Sequence, residues 1–177
     1  MTQLNSMALA LAICGALATF SFMQFGGSLS LWAAFVAWAS FFHSGGQISN
    51  VRSTLAAALF GTALGGITMY LITGTPVGGI LGVPVWAAVV VFVSAGIAVL
   101  TSRFAILAAV PITMHALACV AAFVILNEAG GPALLSGSID TNAILNIGLS
   151  MAIGVGFAVA TATLAGVFAK SEDTQSA

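Results

Sequence analysis

The sequence predicts an all-α fold, a polytopic transmembrane bundle of six helices. Three observations predict it. Only seven of the 177 residues carry a formal charge, and none of the seven lies between Met1 and Val51. Hydrophobic residues make up 60% of the chain and charged ones 4%, against ~45–50% and ~25% in a soluble domain, so a water-facing surface cannot be assembled from them. The apolar stretches, such as Trp86 to Leu100, are continuous and show no alternation of polar and apolar residues. A span of hydrocarbon ~30 Å thick takes ~20 such residues as a helix, and a helix satisfies its own backbone groups where lipid supplies no partner.

Punctuation by Gly, Pro, Ser and the few charges divides the chain into six elements. The first is Leu4 to Phe25. No Lys or Arg precedes its apolar run, which is longer than a secretory h-region of ~7–15 residues, so a retained helix is expected. The second, Leu29 to Phe42, would be only ~21 Å long as a helix. It is either a short span or a re-entrant half-helix. Val51 to Ile72, Val83 to Leu100, Phe104 to Leu126 and Ala143 to Ala169 follow, each long enough to cross. Residues 1–169 are expected to form one transmembrane domain and 170–177 a polar cytoplasmic tail that frays in water.

Arg52, Arg103 and Lys170 each sit at a segment boundary. If all six segments cross, the three fall on one side, and the positive-inside rule makes that side cytoplasmic, with both termini there and Glu128 and Asp140 opposite. A re-entrant second segment keeps the basic residues inside but moves the N-terminus out. The 11-residue step from Trp32 to His43 recurs from Phe104 to His115. Each is followed by a helix rich in small residues, the pattern of a 3+3 inverted repeat with a short or broken second helix.

Ionisable groups inside a membrane mark function because lipid makes them expensive. Here they reduce to His43 and His115. A neutral imidazole offers one donor and one acceptor and titrates near pH ~6–7, which suits a path for a polar uncharged solute. The run His43-Ser44-Gly45-Gly46-Gln47 breaks the helix and supplies the other candidate lining residues. The competing readings are a turn between antiparallel helices for that run, and for His115 a bond to the Leu107 carbonyl freed by Pro111. Asn50 and Arg52 are expected to cap and anchor the next helix. Trp38 and Phe42 are candidates to narrow a pore, with packing as the simpler role.

Gly61, Gly65, Gly148, Gly154 and Gly156 form small-residue stripes that let helices approach closely, within one chain or between protomers of a homo-oligomer. Cys14 and Cys119 lie inside apolar spans and are read as packing residues. No carboxylate lies inside a segment, no metal-ligand spacing is present, and three basic residues neutralise few phosphates. The expected partners are therefore the lipid bilayer and a small polar solute. No catalytic residue, cofactor, metal or nucleic acid is expected.

Trp32-Ala33-x-Phe35-x-x-Trp38-Ala39-x-Phe41-Phe42, followed by Gly45-Gly46 and a helix, resembles a family of small bacterial inner-membrane proteins, the domain of unknown function 1097. The resemblance implies a multi-spanning protein of the bacterial inner membrane and carries no catalytic or binding residue.

Overall fold

The computed structural model describes residues 2–24 and 28–173. Among the described residues seven α-helices follow one another: α1 Gln3–Gln24, α2 Leu31–His43, α3 Val51–Gly74, α4 Val77–Leu81, α5 Val83–Leu100, α6 Val110–Leu126 and α7 Ala143–Asp173. No strand occurs among the described residues. Four regions are long and apolar enough to cross a membrane: Gln3–Gln24, Ile48–Gly74, Val83–Arg103 and Ala143–Ala169. Leu31–His43 and Val110–Leu126 are shorter apolar helices.

Two boundaries differ from the sequence reading by more than two residues, and the short α4 forms where a connection was expected. The segment from Phe104 is not helical from its start. Short 3-10 turns cover Thr101–Arg103 and Ala105–Leu107, and α6 begins at Val110 with Pro111 in its first turn. Proline lacks the N–H that a helix interior needs and disfavours helical backbone in the residue before it, so a start here suits it better than passage through it. At the other end α7 continues through Lys170 to Asp173, where a frayed tail was expected. Residues 174–177 of that tail, and Phe25 of the first segment, lie outside the described residues.

Neighbouring contacts give the helix directions. Phe22 shares a groove with Leu31, and Leu11 and Gly15 share another with Trp38 and Phe42, so α1 and α2 are antiparallel. Ser30 meets Asn146 and Ser150, the Ala34 backbone faces Gly154, and Trp38 stacks on Phe157, so α2 and α7 are parallel. Gly61 faces Thr113 and Gly65 faces Leu117, making α3 and α6 parallel. Trp86 Nε1 donates to the Leu71 carbonyl and Thr68 pairs with Ser94, making α3 and α5 antiparallel. Ser40 meets His115 while Trp32 and Val36 lie beside Cys119 and Ala122, making α2 and α6 antiparallel. Successive apolar helices thus alternate in direction. Arg52, Arg103 and the last turns of α7 lie at one end of the bundle, with Glu128 and Asp140 at the other.

The core is built from backbones in close approach. A Cβ on Gly61 would lie 2.3 Å from the Thr113 carbonyl oxygen, and one on Gly154 would lie 2.1 Å from that of Ala34. Thr113 and Ala34 are each the fourth residue of their helix. From that starting point the buried positions of α2 and α6 coincide: Ala33 with Ile112, Ala37 with Ala116, Ser40 with Cys119, Phe41 with Val120. Most of those of α3 and α7 coincide likewise, Thr54 with Ile147, Ala58 with Met151, Thr68 with Thr161, whereas buried Leu64, Gly66 and Met69 fall on half-buried Phe157, Val159 and Ala162. Each of α1 and α5 buries one narrow stripe with a four-residue step, Ala10, Cys14 and Ala18 against Val90, Ser94 and Ala98. This correspondence does not follow the Trp32–His43 and Phe104–His115 spacing. Under it His115 matches Val36, and Phe104 lies outside α6.

Several hydroxyl groups in the apolar interior are satisfied within their own helix, whereas Ser6 Oγ and Thr54 Oγ1 are buried with no partner among the described residues. Thr62 and Thr161 donate to the carbonyl four residues back, at 2.8 and 2.9 Å, and of the paired Thr68 and Ser94 one hydroxyl donates to the other while the second donates to its own carbonyl four residues back, which replaces water where none is available.

Candidate functional site

The site is built where α2, α6 and the loop after α2 come together. α2 stops because Ser44, Gly45 and Gly46 turn the chain back on its last turn. Gly45 N–H donates to Phe42 O and Gly46 N–H to Phe41 O, while Gly45 and Gly46 take φ values of 98° and 63°. That left-handed backbone is available to glycine at little cost. Asn50 Nδ2 donates to the Ser44 carbonyl at 2.9 Å, so this side chain closes the loop. It makes no capping bond to α3, contrary to expectation, because its backbone is helical (φ −88°, ψ −5°) rather than the extended conformation from which a capping side chain reaches the first turn. His43-Ser44-Gly45-Gly46-Gln47 is therefore a capped turn between helices at the Arg52 end. His43, Gly45 and Gln47 are exposed, and Ser44 and Gly46 are half-buried.

His115 does not join that run directly. Its Nδ1 lies 2.8 Å from Ser40 Oγ, and the expected bond to the Leu107 carbonyl is not made. Ser40 is 1% exposed, and its Oγ also donates to the Val36 carbonyl at 2.7 Å. The hydroxyl has one proton and two acceptors within reach. When it donates to Val36, His115 Nδ1–H is the donor to Ser40. When it donates to Nδ1, the ring proton sits on Nε2. In both states Nε2 is the ring atom left to interact with something else, and no other bond to His115 exists among the described residues.

The imidazole is exposed on the flank of the bundle, the sixth residue of α6, and does not point into the interior. It lines a groove of about 270 Å³ with Trp32, Val36, Ala118, Cys119 and Ala122. His43 lies three residues beyond Ser40, roughly 4.5 Å further along the α2 axis. Ser40 is thus the residue that relates the two histidines. Its only sequence signal is that it is the one hydroxyl side chain in α2.

Most of the remaining candidates make packing contacts. Trp38 is buried and stacked between Phe35 and Phe157, at ring-centroid distances of 5.7 and 5.9 Å. Gly61, Gly65 and Gly154 allow helix backbones to touch, and Gly148 meets Leu59 and Thr62 at ordinary distance. Gly156 faces open space, with nothing among the described residues within 4 Å of an added Cβ. Cys14 and Cys119 are buried and unpaired. At the opposite end, the Ser138 hydroxyl and the backbone hold the exposed Asp140 carboxyl below the usual carboxylate range.

The apolar helices mark an integral membrane protein. No curated protein and no solved structure matches the chain. The family model described as "Protein of unknown function (DUF1097)" matches residues 8–166, nearly the whole length, and the chain belongs to that family.

Proposed function

We propose that the chain crosses the bacterial inner membrane six times, with both termini in the cytoplasm, and passes a small polar uncharged solute without catalysis. The observation that carries this reading is the twofold correspondence in the packing. Exchanging α1, α2, α3 with α5, α6, α7 preserves most of the buried positions and the Gly61 and Gly154 contacts to a carbonyl, and the two triplets run in opposite directions. Inverted triplets with short helices at their centre are the architecture of many transporters. Alternation of helix direction supports six crossings, with α2 and α6 as thin spans, and the clustering of Arg52 and Arg103 at one end supports a cytoplasmic assignment for that end.

The solute path follows the α2/α6 flank, entering at the turn around His43, Ser44, Gly45, Gly46 and Gln47 and passing Ser40 and His115. No carboxylate or basic side chain stands along it, which fits a neutral solute better than an ion. The test is stopped-flow light scattering on proteoliposomes with glycerol, urea and acetamide as probes. Wild-type vesicles should equilibrate at least one of the three faster than empty ones, and His43→Ala or His115→Ala should slow that flux. The dense glycine contacts at the bundle centre favour a second reading, an accessory membrane subunit. Empty-vesicle rates for every probe would support it.

A further inference from the structure

We propose that the α2/α6 flank is the seam of a twofold homodimer in which His115 of one copy hydrogen-bonds His115 of the other. The inference rests on the membrane-crossing reading of the bundle and requires no flux. It starts from an anomaly of exposure. On α5 the outward residues are what lipid accepts, with Phe92 81%, Val93 51% and Val99 56% exposed. On α6 the outward residues include an imidazole and the alanine Ala118, with Ala122 one turn further along the same groove. Acyl chains carry no donor or acceptor, so the Nε2 left over by Ser40 has no lipid partner at this depth.

A second copy supplies what lipid cannot. Two chains inserted the same way and related by an axis along the membrane normal place their α6 helices at one depth, with His115 opposite His115. The two proton arrangements at Ser40 make this pairing complementary. A copy whose Ser40 donates to Val36 presents Nε2 as a lone-pair acceptor. A copy whose Ser40 donates to Nδ1 presents Nε2–H as a donor. One of each forms a single Nε2–H···Nε2 bond. Ala118 and Ala122, four residues apart, let the helices approach closely enough for that bond. The shortness of α2, 13 residues, and of α6, 17 residues, acts in the same direction. Spans of ~20 and ~26 Å are thinner than a ~30 Å hydrocarbon layer, a mismatch that burial against protein relieves.

The experiment is disulfide trapping in native membranes. In a background of Cys14→Ser and Cys119→Ala, Ala118→Cys should yield a covalent dimer under copper-phenanthroline, and Phe92→Cys on α5 should not. Equal trapping at both positions, or none at Ala118→Cys, overturns the proposal. If that background does not fold, light scattering of the wild-type chain in detergent decides the same question, and a monomer or an odd-numbered assembly overturns it. His115→Phe, which keeps the ring but removes its nitrogens, should raise the dimer dissociation constant about tenfold, whereas His115→Gln, which keeps a donor and an acceptor, should largely preserve it. An unchanged dimer in His115→Phe refutes the role of the imidazole. None of these readouts depends on solute flux, so a dimer without transport and transport without a dimer are distinguishable results.

Discussion

Gly154→Ala is expected to be among the most damaging single-methyl substitutions in this chain, and the magnitude follows from the structure. The added Cβ would stand 2.1 Å from the Ala34 carbonyl oxygen and 2.7 Å from Ala34 C and Cα. These are backbone atoms, so no rotamer change can relieve the contact. Restoring even the ~3.3–3.6 Å of a close C–H···O approach requires α2 and α7 to separate by roughly 1.2–1.5 Å. That movement strains the bonds from Ser30 N–H to Ser150 Oγ at 2.9 Å and from Ser30 Oγ to Asn146 Oδ1 at 2.7 Å. Overpacking of this kind costs ~1–3 kcal/mol or more, and for a chain of this size ~1 kcal/mol moves Tm by ~2–4 °C. A fall of about 4–10 °C is therefore expected in detergent, read by loss of the monodisperse peak after heating. Gly156→Ala on the same helix is the control, since nothing lies within 4 Å of its added Cβ. It should match or slightly exceed wild type. Equal stability of the two variants would refute the close-approach argument for both glycine contacts.

Asn146→Ala removes the bonds to Ser30 Oγ and to the carbonyls of Ser28 and Ile139, and should lower stability by ~2–4 kcal/mol in the same heating assay. Trp86→Phe loses the 2.7 Å bond to the Leu71 carbonyl together with part of the ring's packing area, and should cost at least ~1 kcal/mol. A double-mutant cycle of Thr68→Val and Ser94→Ala, which interrupts their 2.7 Å pairing, should return a coupling of ~0.6 kcal/mol. Ser138→Ala should raise the Asp140 titration point, followed by NMR, toward the ordinary carboxylate range. Because the folded pKa is the depressed one, the contribution of Asp140 to stability is present above the unfolded pKa and disappears as pH falls through the folded value.

Much of the element list was legible in the sequence because apolar length is a local property. Val51 and Val83 begin α3 and α5 where the sequence reading placed them, and Leu100 and Leu126 end α5 and α6. Where the reading missed, a local competitor intervened, as at Phe104, where the chain needed turns before Pro111 could open a helix. The site was less legible. His43 and His115 stand out by scarcity, yet Ser40 looks like one more small residue until α6 is laid beside α2. The run after His43 read as a turn somewhat more readily than as a solute site, and the φ angles of Gly45 and Gly46 show how the chain turns there.

What the sequence determined by itself is the solvent, the helical class and the family, because burying or exposing charge in lipid is decided residue by residue and needs no knowledge of neighbours. What only the tertiary structure decided is which face of each helix meets which. Gly154 and Gly156 are indistinguishable as letters, but one touches a carbonyl of α2 and the other faces open space. His115 reads as an interior histidine until its helix is oriented, and then its ring lies on the flank. With hydrophobic residues on every side of a helix, periodicity carries almost no information about direction, and the choice of inner face falls to small residues and single hydrogen bonds whose partners lie many residues away.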